Sequence, residues 1–264
     1  MHDILLLFNA SDTLVQKETE LKVSLHINRV LNRFGFHLSR GEQERLHRVL
    51  GQNVEFDIKY LLSNVSDPVI FDVGGNIGQA IDRFKKLLPG SLIYSFEPTL
   101  ECMPTLKKKE DIYNSVKVFN LALGAREMEL DFYLNSSNVM NSFLDSSSPR
   151  WGDNLGKRIV RTETLDSFCQ ENAVNHINLL KIDTQGFELE VLKGSRQMFS
   201  NNGIGLVYME IIFSDMYSGL PSLAEIYTYM TQSGFKLVAF YDFYTHNKTA
   251  DWCDALFYNP SFGE

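Results

Sequence analysis

Buried-strand runs alternate with helix-length segments over most of this chain, and that alternation constrains the fold more than any other feature. VIFDV (69–73), SLIYSFEP (91–98), VKVFNLAL (116–123), INLLKID (177–183) and GLVYMEI (205–211) are largely apolar runs, as expected of strands covered on both faces. Helical patterns follow the first, second, fourth and fifth, with Ala80, Ile81, Phe84, Leu87 and Leu88 forming one apolar side. Strand–helix alternation implies right-handed crossovers and a mostly parallel α/β sheet. Pro221 is expected to open a helix in its first turn. KLVAFYD (236–242) and DALFYNP (254–260) are too close for a helical crossover, so they should pair antiparallel. MELDFYL (128–134) alternates as a half-exposed strand, RIVRTE (158–163) is a further short one, and helices are expected at 165–172 and 187–199.

The region before Pro68 differs. Residues 1–66 form an expected N-terminal helical extension, with 67–264 as the main domain. An amphipathic helix is expected over 21–40 and a second over 42–50. Lys22, His26, Arg29 and Arg33 make a basic stripe on the first, read as a solvated face or as a peripheral contact with an anionic membrane or polymer. The extension carries eight basic and eight acidic residues, so the whole net charge of −8 belongs to 67–264. An acidic main domain argues against binding nucleic acid. Cys102, Cys169 and Cys253 are widely spaced and form no CxxC pair, which fits a reducing, cytoplasmic setting. No apolar run near the start spans a bilayer, so no transmembrane segment is expected.

Ligands of open α/β sheets sit beyond the carboxyl ends of the strands. The residues there are Asp72 through Gly78, Glu97, Asn120 to Gly124, Asp183 to Gly186, Glu210 and Asp242. Gly74, Gly75 and Gly78 permit a sharp turn and close ligand approach, but Asn76 and Gln79 break the dinucleotide fingerprint and no phosphate-loop lysine follows. The turn therefore suits a ligand without a pyrophosphate, and a nicotinamide oxidoreductase is disfavoured. Glu97, at the end of the second strand, can accept both hydroxyls of a ribose. Each acid has a plainer alternative: a helix cap for Asp72 and Asp183, a surface or solvated strand-end acid for Glu97 and Glu210.

FDVGGNIGQ (71–79), SFEP (95–98), NLALG (120–124), TLDSF (164–168), LLKIDTQGFELEVLKG (179–194) and DALF (254–257) together resemble the FkbM family of S-adenosylmethionine-dependent methyltransferases. Gly75 is a departure, where that family more often has Ala; the exchange is expected to be tolerated because both are small. The resemblance implies a Rossmann-like class I sheet of seven strands with the last reversed. It implies S-adenosyl-L-methionine as cofactor, with Asp72, Gly74, Gly75, Asn76 and Gly78 around the methionine portion, Glu97 on the ribose, Asn120 and Ala122 beside the adenine, and Asp183 beside the sulfonium.

The expected reaction is O-methylation of a hydroxyl on a sugar, a glycan or a secondary metabolite. Asp183 and Glu210 are the first candidates for the base, ahead of Asp242 and His246. The alternative is a non-catalytic module that binds the cofactor for regulation or scaffolding. Asp183, Glu210 and Asp242 are oxygen donors suited to magnesium, but no paired acidic run supports a metal and none is assigned. Specificity is expected to lie in the loops 135–153 and 213–220, with Met140, Phe143, Trp151 and Tyr217 able to stack on a ring or to form lid core.

Overall fold

A computed structural model describes residues 50–146 and 149–263. The expected extension helices and their basic stripe lie outside these residues, apart from Leu50. The compact unit that contains the sheet runs from Val54 to Glu264.

The order of elements begins with α1 (Val54–Leu61), β1 (Val69–Val73), α2 (Gln79–Leu87), β2 (Leu92–Phe96), α3 (Met103–Ile112), β3 (Val116–Phe119), β4 (Ala122–Leu123), β5 (Met128–Asn135) and β6 (Asn154–Glu163). It continues with α4 (Leu165–Glu171), β7 (Ile177–Ile182), α5 (Glu188–Lys193), α6 (Arg196–Ser200), β8 (Ile204–Ile212), α7 (Leu223–Gln232), β9 (Lys236–His246) and β10 (Thr249–Tyr258). Seven strands form the main sheet in the order β3-β2-β1-β7-β8-β10-β9. β10 is antiparallel to both neighbours and the other pairs are parallel. This is the α/β class the sequence implies.

The two faces carry separate cores. Phe71, Phe96, Leu180, Ile182, Val207 and Phe257 belong to one. Ile70, Ile93, Leu179 and Leu206 belong to the other, with Val54 and Ile58 of α1, Ile81 and Phe84 of α2, and Leu106 of α3. Such two-sided burial is why the strand runs are apolar throughout.

Three local readings need correction. VKVFNLAL is not one strand: the chain leaves the main sheet after Phe119, and Ala122–Leu123 pairs with β6 in a second sheet ordered β4-β6-β5. The helix expected over 187–199 breaks at Gly194, where the Gly194 carbonyl accepts from Asp166 N at 3.0 Å. The Asp166 carboxylate then accepts from Gln197 N and Met198 N at 2.8 and 3.0 Å, which caps a new helix from outside. Pro221 lies before its helix, because Ser222 and Glu225 form a capping box that sets the start at Leu223.

One stripe of the sheet is polar although buried. Register aligns Ser95, Asp72, Lys181 and Tyr208 on successive strands. Asp72 is fully buried. Its Oδ1 lies 2.9 Å from Lys181 Nζ, and its Oδ2 accepts from Ser95 Oγ at 2.9 Å. Lys181 Nζ also donates to the Gly74 carbonyl at 2.9 Å. Burial opposes the ammonium, but the charges of Asp72 and Asp183 more than offset it and raise its pKa.

Removing one member of such a pair strands the other in a low dielectric. Lys181→Met should cost about 3–5 kcal/mol in urea unfolding. Adding Asp72→Asn should recover part of that loss, so the double variant should be more stable than the single effects summed.

Candidate active site

Extending the register by two residues carries the polar stripe out of the sheet. Asn120, Glu97, Gly74 and Asp183 each follow a strand. Glu97 N donates to Phe119 O, Gly74 N to Phe96 O and Asp183 N to Val73 O, all at 3.0 Å. Glu210 is opposite Asp254, one residue past the Ile182–Met209 pair. Five strands thus bring Glu97, Gly74, Asp183, Glu210 and Asp254 to one level, with Asn120 at the end of the row. All but Asn120 line a cavity of about 360 Å³, within the range of small-molecule sites.

Backbone geometry shapes one half of this cavity. Gly74 has φ +81°, and a Cβ there would sit 1.8 Å from the Asp183 carbonyl oxygen. Only glycine lets β1 turn away so close to β7. Gly75 is less tolerant than expected. A Cβ would lie 2.1 Å from Ser95 Oγ, the hydroxyl that holds Asp72. Asn76, itself at φ +45°, donates its N–H to Glu97 Oε2 at 2.8 Å, and Thr99 N donates to Glu97 Oε1 at 2.7 Å. The buried carboxylate is therefore fixed from both sides, with lone pairs remaining for a ligand. Asn120 Nδ2 donates to the Glu97 carbonyl at 2.9 Å. Leu121, Ala122, Leu123, Phe132 and Phe143 add an apolar wall.

The other half is acidic. Gln185, at φ +56°, donates from Nε2 to Asp183 Oδ1 at 2.9 Å and to Glu210 Oε2 at 3.1 Å. Burial, then the charges of Asp183, Glu188 and Asp254, push the Glu210 carboxyl well above the usual range, and Lys181 opposes them. Glu188 accepts from Thr184 N, Thr184 Oγ1 and Gly186 N, so it pins the turn. Its own pKa is pushed up to about 6, mainly by burial. Asp254 accepts from the Tyr208 hydroxyl. That hydroxyl also accepts from Arg83 Nη1 at 3.2 Å, and Arg83 pairs with Glu55 at 2.9 Å.

The two loops form a single cover. Ser146 bridges to Tyr217, and Ser218 N donates to the Asp145 carbonyl at 2.9 Å. Met140, Trp151 and Tyr217 pack with Ile212, Met216 and Leu220 in a third small core, so of the four ring-stacking candidates only Phe143 faces the cavity.

The sequence-derived residues therefore separate into groups. Gly74, Gly75, Asn76, Glu97, Ala122, Asp183 and Glu210 line the cavity, whereas Asp72, Gly78 and Asn120 lie outside its lining. Asp72 caps no helix: Gly78 precedes α2 without a side-chain cap, and Asp72 instead supports the floor through Lys181 and Ser95. Asp242 and His246 are exposed on β9 and do not line the cavity. Among the described residues, no three His, Cys, Asp or Glu side chains are placed to hold a metal ion. The strand-end rule reaches Gln185 only as part of the Asp183–Gly186 turn, and it does not point to Tyr208, Arg83 or Asp254. For Asp254 the signal was present: an antiparallel strand brings its beginning, not its end, to this edge.

A parallel sheet with a reversed strand beside its edge, a glycine turn after β1 and an acid after β2 define the class of S-adenosylmethionine-dependent methyltransferases. The residues fit that cofactor: the glycine cradle leaves no side chain in its space, Glu97 offers free lone pairs to a diol, and the wall at 121–123 suits a purine. The model of the methyltransferase FkbM domain matches residues 72–237, and the chain belongs to this family. The 2-O-methyltransferase NoeI of Sinorhizobium fredii (strain NBRC 101917 / NGR234) is 26% identical over 184 residues, spanning 66% of this chain and 74% of its own. The methyltransferase sdnD of Sordaria araneosa is 26% identical over 188 residues, spanning 60% and 71%. Among solved structures, magnesium protoporphyrin IX methyltransferase from Synechocystis PCC 6803 with bound SAM superposes with a TM-score of 0.46 at 10% identity, over 79% of this chain and 78% of that one.

Two outcomes are expected. Glu97→Ala should weaken S-adenosylmethionine binding by about ten- to a hundredfold in calorimetry, as loss of charge-assisted hydrogen bonds implies. Gly75→Ala should destabilise the fold by about 1–3 kcal/mol through overpacking, and adding Ser95→Ala should relieve part of it in thermal melting.

Proposed function

We propose that this methyltransferase acts on a hydroxyl oxygen of a sugar, a glycan or a related secondary metabolite. The observation that carries the reading is the pair of carboxylates, Asp183 and Glu210, held by one carboxamide at the edge of the donor cavity. A hydroxyl is a weak nucleophile, and a base that takes its proton assists attack. The cavity also combines Asn141, Tyr208 and Asp254 with the ring of Phe143. That mixture suits a ring bearing both hydroxyls and C–H faces. One relative is named a 2-O-methyltransferase, which agrees with oxygen as the receiving atom. The cysteines are all buried and unpaired, which supports a reducing compartment, the cytoplasm.

In this reading Gly74, Gly75, Asn76 and Glu97 hold the cofactor, and Leu121 to Leu123 border its base. S-adenosylmethionine supplies an activated methyl group when bound. Glu210 accepts the proton of the acceptor hydroxyl, and its raised affinity for protons makes it the stronger base of the pair. Asp183 is the more exposed carboxylate, beside the glycine turn, and orients the hydroxyl. The cover over the site excludes water and aligns the reactants.

An acceptor screen with radiolabelled methyl donor, starting from nucleotide sugars and cell-envelope glycans, tests this reading. Asp183→Asn and Glu210→Gln should each lower turnover by about a hundredfold or more, with Glu210→Gln leaving donor affinity unchanged; near-normal turnover in both would refute the assignment, and donor binding without product from any acceptor would favour a binding module. The rate should fall with acidity as Glu210 takes up a proton. Asp254→Asn removes a negative charge that raises the Glu210 pKa, so it should move that limb of the pH profile to lower pH.

A further inference from the structure

Gln185 is the residue on which the acidic half of the site converges, and the reaction as outlined above assigns it no step. It sits at φ +56°, followed by Gly186 at φ +97°. A left-handed non-glycine residue is costly and persists only where its surroundings enforce it. Here Glu188 enforces it by collecting Thr184 N, Thr184 Oγ1 and Gly186 N on one carboxylate oxygen. The turn aims the Gln185 side chain back across the strand ends.

Its carboxamide is used completely. The two hydrogens on Nε2 go to Asp183 Oδ1 and Glu210 Oε2, and Oε1 accepts from the Tyr217 hydroxyl at 2.9 Å. The reverse orientation would put Oε1 against two carboxylates. Its backbone carbonyl accepts from Ser142 Oγ at 2.7 Å. Tyr217 and Ser142 belong to the two loops that form the cover. One residue thus joins the carboxylate pair to both halves of that cover.

We propose that Gln185 is a positioning residue for methyl transfer: its carboxamide holds the Asp183 and Glu210 carboxylates as one unit, and Tyr217 fixes the direction in which that carboxamide points. The inference rests on the assignment of this pair to the reaction. An empty amide position would leave the two carboxylates repelling each other across the acceptor edge. The other charged and titratable groups facing Glu210 are Lys181 from β7, Glu188 from α5, Cys253 and Asp254 from β10 and Tyr217 from the cover. Of these, Lys181 alone is cationic; it pairs with Asp72 at 2.9 Å and reaches Asp183 Oδ2 at 3.8 Å, so the Gln185 amide is the group that hydrogen-bonds both carboxylates.

The test reads Glu210 directly and needs no acceptor. Full-length protein labelled with carbon-13 at the glutamate side-chain carboxyl is titrated by NMR in the presence of S-adenosylhomocysteine, and Glu210→Gln identifies the resonance. Gln185→Met keeps the length of the side chain and removes both donors. Because hydrogen bonds to the ionised form favour it, their loss should raise the Glu210 midpoint by about one unit or more. Tyr217→Phe, which only frees the amide to turn, should raise it by less. Calorimetry with S-adenosylhomocysteine and thermal melting verify that each variant is folded. A Glu210 midpoint unchanged in folded Gln185→Met overturns the proposal. If Gln185→Met fails to fold, Tyr217→Phe decides, and an unchanged midpoint there overturns it equally. Once an acceptor is in hand, loss of turnover in Asp183→Asn and Glu210→Gln with none in Gln185→Met would reject the positioning role alone, whereas no loss in any of the three would reject the carboxylate assignment itself.

Discussion

The ion pair between Lys181 and Asp72 underlies the whole site. It lies one residue inside the ends of β1 and β7, beneath the glycine turn, where water is excluded. A charge in such a place costs several kcal/mol to desolvate unless it is paired and hydrogen-bonded, and here both conditions are met. Ser95 serves the second carboxylate oxygen, and the Gly74 carbonyl takes another ammonium hydrogen. The pair therefore ties β1, β2 and β7 at the level from which the glycine cradle springs. Asp72, which resembles a ligand contact in the sequence, lies outside the cavity lining and supports the residues that form it.

Above that foundation the site divides by physical character. The donor side is made of backbone and one carboxylate held rigidly by two N–H groups. The other side is made of acids, and burial together with the charges of Asp183, Glu188 and Asp254 raises the affinity of Glu210 for protons. The first suits a cofactor that is the same in every turnover. The second suits proton transfer from a weakly acidic hydroxyl, because a base is most effective when its pKa approaches the working pH.

Much of this was legible in the sequence. Gly74, Glu97 and Asp183 each terminate a buried apolar run, and the rule that ligands gather at carboxyl ends finds all three. Other features escaped for definite reasons. Asn120 and Leu121 sit inside a run of uniform strand character, so nothing local signals that the chain changes sheets there. The break between α5 and α6 depends on Asp166, some thirty residues away (Asp166 accepts from Gln197 N and Met198 N). Gln185 is polar and unremarkable until its turn is seen to be left-handed. Asp254 opens an antiparallel strand, so the strand-end rule points to Asp242 on β9 instead, which is exposed and outside the cavity lining.

The insertion of β10 between β8 and β9 has an effect on how the site comes into being. β9 finds its place in the main sheet through β10, so the hairpin joins as a unit, late in synthesis. A nascent polypeptide that has emerged only as far as β8 already has every residue of the glycine cradle and Glu97. It lacks the carboxylate that faces Glu210, and β8 presents an open edge. The glycine turn and Glu97 are thus made well before the carboxylate that faces Glu210.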